Sequence, residues 1–250
     1  MQKKVSIITV CFNNCKFIPF AIESVLGQTY ANIEYIVIDG GSTDGTVEII
    51  KSYGNKINRF ISEPDKGIYD AMNKGLKLAS GNIIGLLNSD DLFIDDQVIS
   101  TVVDKFNQSS CDVLFGDLYY VNADKPEKII RKWQTGDYVA NSFKKGWHPP
   151  HPTFYVSKHI YDKYGYFDLE FKLAADFELM LRFLEKYQVK SIYIPKPLVR
   201  MRIGGATSKN LRNIINQNIE CYKAFRKNGI AVSQLYPFYR IIPKFLQFFK

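Results

Sequence analysis

Asn88-Ser89-Asp90-Asp91 is the stretch whose residue types most plainly ask for chemistry. It follows the apolar run Ile83–Leu87, and adjacent carboxylates at the end of a buried strand are costly to desolvate unless a cation or a reaction uses them. Asn13, Asp39 and Asp65 each follow an apolar run in the same way, and an open α/β sheet binds its ligands at such strand ends. Asp39 opens a glycine-rich turn, Asp39–Gly45, in which it serves equally well as a turn and capping residue. Asp176 stands in the first turn of a helical pattern, where the dipole favours a carboxylate whether it caps or reacts. Trp147, His148 and His151 lie in Gly146–Pro152, which its prolines keep from being helical. No Cys or third His completes a metal site there, so these side chains face solvent or substrate.

Short elements must position these groups. Val5–Phe12 reads as a buried strand and Phe17–Gln28 as the helix after it. Strands over Ile33–Ile38, Ile57–Ser62 and Asn82–Leu87 alternate with helical patterns after Gly45 and over Ile68–Leu76. In the latter, Asn73 and Gly75 are poor interior helix formers and imply contact with a ligand or a close neighbour. Beyond Asp95 come a helix to Gln108, a strand over Val113–Leu118, less regular sequence, and strands over Thr153–Val156 and Ser191–Ile194. Such alternation with short connections gives an α/β fold with a mostly parallel sheet and helices on both faces. Neither a Walker-type lysine loop nor a GxGxxG is present, so phosphate would be held by a metal and backbone amides.

The 250 residues suffice for one large domain. Net charge is +8, and from Lys190 onward twelve Lys and Arg face one acid, Glu220. That basic third lacks a helix-turn-helix or zinc-ligand signature, so no nucleic-acid partner is expected. Tyr236–Lys250 sets Phe238, Ile241, Ile242, Phe245, Phe248 and Phe249 against Arg240, Lys244, Gln247 and Lys250. The pattern suits either a membrane interface or packing on the body or in a homodimer. Four cysteines without a CxxC pair read as free thiols of a reducing compartment. The first apolar run is short and lacks a small-residue cleavage site, and no run could span a bilayer, so the expected location is cytoplasmic, peripheral at the inner face of the plasma membrane.

Taken together, VSIITVCFNN, IVIDGGSTDGT, NKGLKLASG, LLNSDD and AADFELMLRF resemble the family 2 glycosyltransferases, inverting enzymes of GT-A fold that build bacterial polysaccharides. The resemblance spans residues 3–208, and DKGIYDAMNKG with RIGGATS is similar to the colanic-acid or amylovoran type. It implies a GT-A domain over 1–208, with a nucleotide-sugar half (1–118) and an acceptor half (119–208), and a basic amphipathic helical tail over 209–250. It also implies a nucleotide-sugar donor, UDP-linked before GDP-linked, a divalent metal (Mg or Mn), and a saccharide or polyprenyl-diphosphate-linked acceptor. Asp90 would ligate the metal with Asp91 supporting it, and Asp176 matches the catalytic base. Asn13, Asp39, Asp65, Asn73, Asn88, Ser89 and Asp90 would hold the donor, and Trp147, His148 and His151 the acceptor, while the Gly204-Gly205 loop would close on the diphosphate. The chain departs from the family pattern at Asn88, Gly40 and Met72, where Asp, Asp and Arg are usual. Those departures are what a non-catalytic nucleotide-sugar-binding scaffold subunit would show; retention of Asp90 and Asp176 argues for the enzyme.

Overall fold

Every residue of β1 (Val5–Cys11) is buried, because helices cover both faces of the strand. The computed structural model describes residues 2–204, 211–237 and 240. Alternate side chains of β1 enter different cores, as a period of two requires. Val5, Ile7 and Cys11 pack with α1 (Ile18–Leu26) and α4 (Val98–Gln108), whereas Ile8 and Val10 pack with α3 (Ile68–Leu78), α6 (Ala175–Leu181) and α7 (Leu211–Lys227). Burying each such Val or Ile contributes on the order of 1.5–3 kcal/mol.

β1 pairs in parallel with β2 (Ile33–Asp39) and β4 (Ile83–Leu86), and β2 pairs in parallel with β3 (Arg59–Ser62). The register sets Cys11 opposite Asp39 and Asp39 opposite Ser62, so three chain ends meet at one level. Beyond β4 the sheet turns mixed: β8 (Tyr155–Ser157) is antiparallel to both β4 and β6 (Val113–Val121), and β6 is parallel to β9 (Ser191–Arg202). With β5 (Leu92–Phe93) on β9 and β7 (Ile129–Trp133) on β6, the order is β3-β2-β1-β4-β8-β6-β9-β5. The helices α2 (Thr46–Ser52) and α5 (Lys158–Tyr164) follow β2 and β8. This is the expected mixed α/β architecture with helices on both faces.

The C-terminal boundary differs from the expectation. Helix α7 is built into the domain instead of being appended to it: Cys221, Ala224 and Phe225 are 0% exposed and belong to the same core as Phe177 of α6. Beyond it, Tyr236 packs edge-on to Phe225 at 4.9 Å. Arg240, expected on a polar face, is buried with its guanidinium 4.7 Å from the Phe177 ring centroid. The remaining tail positions named above lie outside the described residues, as do Gly205–Ser208 of the expected closing loop. Among the described residues no helix is long and apolar enough to cross a membrane.

Candidate active site

The loops at the carboxyl edge are knitted together by their own polar side chains. Asp39, fully buried, accepts hydrogen bonds from Gly41 N (3.1 Å), Ser42 N (2.9 Å), Ser62 Oγ (2.6 Å) and the Ser42 hydroxyl. Burial pushes its carboxyl up, but the hydrogen bonds from Ser42 and Ser62 outweigh that and hold it below the usual range. Asp39 therefore shapes the turn, with both carboxylate oxygens engaged by the chain's own donors. Asn13, at φ 47°, also braces this turn, its Oδ1 accepting from Thr43 N at 2.9 Å. The group that reaches this edge is Asp65. A Cβ at Gly40 would collide with Asp65 Oδ2 and lie 3.4 Å from Phe12, so glycine is what admits the Asp65 carboxylate. Phe12, 63% exposed beside that carboxylate, is a bare aromatic face that sequence reasoning missed.

At the end of β4, Asn14 Nδ2 donates to Ser89 Oγ at 2.7 Å and fixes the turn carrying Asp90. Arg202, at the end of β9, donates from Nη1 to the Asp90 carbonyl at 2.6 Å and is 3% exposed. It is thus a pinned strand residue, not part of a free basic loop. Asp91 is 1% exposed; burial, reinforced by the charge of Asp90, raises its carboxyl well above the usual range. It stands behind Asp90, with Asn88 Nδ2 at 3.4 Å. Asn88 Oδ1 and Asp91 Oδ1 are buried without a hydrogen-bond partner among the described residues. Uncompensated buried oxygens beside a carboxylate suit a hard divalent cation, which bonds oxygen. Among the described residues no group of three His, Cys, Asp or Glu forms a full cage.

Across the edge, Asp176 occupies the first turn of α6, whose N-cap is Ala174, so Asp176 is not the cap. Tyr69 donates from its hydroxyl to Asp176 Oδ1 at 3.0 Å. Burial, then the Asp176 charge, raises the Tyr69 phenol well above its ordinary value, which keeps the proton available for donation. One turn along α3, Asn73 clamps the Phe167 peptide, donating to its O at 2.9 Å and accepting from its N at 3.0 Å. Asn73 is 8% exposed, and its side-chain amide is engaged at both ends by this clamp. Gly75 answers the same question differently: its missing side chain makes room for Ile8 Cγ2. Met72 is 1% exposed core, so the usual Arg could not occupy that place without burying a charge.

Of the loop residues, His151 belongs to the site. It lines a small cavity with Leu86, Phe154, Phe167 and Asp176, and its Nε2 has no partner among the described residues. Burial lowers the imidazole below its ordinary value against the pull of both Asp176 and Asp90, so His151 lies within the fields of the two carboxylates. Trp147 donates from its indole to Thr135 O at 2.6 Å and packs its ring on Phe115 and Phe143. His148 sits edge-on between Trp133 (5.2 Å) and Phe177 (5.7 Å), its Nε2 2.9 Å from Arg240 Nη2.

The sequence profile described as Glycosyl transferase family 2 matches residues 6–162. An uncharacterized glycosyltransferase of Mycobacterium tuberculosis is 34% identical over 186 residues, 71% of this chain and 68% of that one. Among solved structures, Staphylococcus aureus TarS in complex with UDP-GlcNAc superposes with a TM-score of 0.67 at 20% identity, covering 90% of this chain and 65% of that chain. The mannosyltransferase PcManGT of Pyrobaculum calidifontis, in complex with GDP-Man and Mn2+, superposes at 0.65 with 16% identity, covering 96% and 68%. The two structures share the fold described above, and the profile and the mycobacterial relative give it a family: the chain belongs to glycosyltransferase family 2.

Proposed function

We propose that this chain is a metal-dependent inverting glycosyltransferase. It moves a sugar from a nucleotide-diphosphate donor to a saccharide or lipid-linked saccharide acceptor, in bacterial surface polysaccharide synthesis of the colanic-acid or amylovoran type. The observation that carries this reading is geometric: the end of β4 sends Leu86 into a cavity shared with His151 and Asp176, and just beyond it carries Asn88 and Asp91 with buried, unpartnered oxygens among the described residues. Phe12 offers its exposed face to the donor base, and Asp65 accepts from a base N–H. A UDP donor fits, as in the TarS complex, and guanine also presents N–H donors.

Tyr69 holds Oδ1 of Asp176, which leaves Oδ2 to take the proton of the acceptor hydroxyl. That hydroxyl oxygen bonds to the anomeric carbon as the bond from that carbon to the diphosphate oxygen breaks, and the nucleoside diphosphate departs on the opposite face. One displacement inverts the centre, so an α-linked donor gives a β-linked product. A divalent ion at Asp90, Asn88 and Asp91 would supply Lewis-acid neutralisation of the leaving charge. A general base of this kind contributes about 100- to 10,000-fold. The scaffold alternative loses ground, because Gly40 admits Asp65 and Met72 fills the core, so two of the three departures have structural reasons.

Calorimetric titration of UDP and GDP with and without Mn2+ tests the donor half. The expected outcome is binding of one nucleotide that depends on the metal and weakens at least about tenfold in Asp90→Ala, roughly the worth of a charged hydrogen-bonded contact. Binding of neither nucleotide would sink the reading.

A further inference from the structure

Glu220 is the one acid in the basic C-terminal third, and its carboxylate accepts from three backbone amides, with no ion pair to a cation among the described residues. From α7 it reaches the chain just ahead of the proposed base. Oε1 accepts from Lys172 N at 3.1 Å, and Oε2 accepts from Leu173 N at 2.8 Å and Ala174 N at 3.0 Å. These three amides lead into α6 and end at its N-cap, Ala174, which at φ −142° and ψ 26° has no side-chain cap of its own. Glu220 thus fixes the entry to the helix rather than the N–H groups of its first turn. Ala174 is 0% exposed, so water cannot readily take over at its N–H if the carboxylate is removed, whereas Lys172 is exposed and Leu173 half-buried. Helix α7 and the residue that follows it grip the next turn of α6 as well. Phe225 meets Phe177 edge-on at 5.8 Å, and Asn228 Nδ2 donates to Glu178 Oε1 at 3.0 Å. Asp176 therefore lies between Ala174, held by Glu220, and Phe177 and Glu178, held by Phe225 and Asn228.

We propose that Glu220 is a positioning residue for Asp176, which makes α7 a working part of the catalytic centre although it lies beyond residues 6–162 of the family match. This rests on Asp176 being the base. Tyr69 fixes the carboxylate from the donor side, and Glu220 fixes the backbone that carries it from the other. Replacing Glu220 by Gln keeps the shape but removes the charge and puts an N–H2 where a carboxylate oxygen accepted, so at least one of the three peptide N–H groups loses its acceptor and the hold on the segment loosens. A displacement of about 1 Å at a reacting group costs up to about 100-fold in rate.

The test uses the full chain as Glu220→Gln, with Lys227→Met as the control for helix docking. Lys227 ties α7 to Asp168 and Glu170 and touches neither Asp176 nor its turn. Nucleoside diphosphate release is followed with UDP-GlcNAc, UDP-glucose and GDP-mannose, and amide hydrogen exchange with no ligand present. The expected result for Glu220→Gln is a kcat about tenfold or more below the native value with donor KM within about twofold, while Lys227→Met stays near native in both. Amides of residues 172–176 should exchange at least about tenfold faster in Glu220→Gln alone. Native kcat in Glu220→Gln, or an equal loss in Lys227→Met, would overturn the proposal. If the native protein turns over none of the donors, the transferase reading fails by itself. Exchange then decides the positioning claim, and unchanged protection of 172–176 refutes it.

Discussion

Asp39 is fully buried in its turn, whereas Asp176 lines a cavity at the other side of the sheet edge. Both are acidic residues next to a helix or turn, and sequence offers each the same pair of roles. The difference lies in partners: Asp39 is closed off by donors from Ser42, Gly41 and Ser62, whereas Asp176 receives one hydroxyl and opens on the cavity with His151. Tyr69 is therefore the residue to perturb. Tyr69→Phe keeps the ring against Phe167 (5.4 Å) and removes only the hydrogen bond. Initial-rate kinetics should show kcat reduced about tenfold, equivalent to about 1.4 kcal/mol, with donor KM little changed. A variant with native kcat would make Tyr69 a packing residue.

Helix α3 is the element that joins the two halves of the site. Its first turn carries Tyr69, its second Asn73, and Gly75 lets the whole helix lie against β1. Gly75→Ala should lower stability by about 1–3 kcal/mol in urea unfolding, because the new methyl overlaps Ile8 Cγ2 in a packed core. An unchanged midpoint would mean α3 can retreat. The strands and helices of the first half were legible because apolar runs of β-branched residues alternate with helical spacing and turn residues, as in Val5–Cys11 and Ile33–Asp39. The edge strand β7 was not: Ile129 and Ile130 are exposed, and an edge strand need not show a buried face. Asn73 was legible as an anomaly, but its partner, Phe167, is 94 residues away, and no local pattern encodes such a pairing. Glu220 could have been flagged as the lone acid of a basic stretch; Phe12 carried no signal beyond being aromatic at a strand end.

For the molecule as a whole, the ends of the sheet divide the work. The carboxyl edge carries the site, and the opposite edge carries a buried carboxylate that serves stability. Glu34 is 4% exposed and accepts from Ser6 Oγ (2.5 Å), Ser80 N (2.8 Å) and Ser80 Oγ (2.8 Å). Burial raises its carboxyl, but these hydrogen bonds prevail and bring it down to about 2. A carboxyl depressed in the folded state stabilises the fold above its unfolded value and loses that contribution as pH falls through the folded value. Stability should therefore drop by roughly 2–3 kcal/mol between about pH 5 and pH 2 through this group, a large share of a typical 5–15 kcal/mol. In Glu34→Gln the midpoint should be lower at pH 6 and flatter across that window; equal pH slopes in the two proteins would remove Glu34 from the account. The central claim, that Asp176 is the base of an inverting transfer, is tested most directly by single-turnover nucleoside diphosphate release from a bound donor in Asp176→Asn. The account predicts a rate at least about 100-fold below native with donor affinity retained; a rate within a few-fold of native would contradict it.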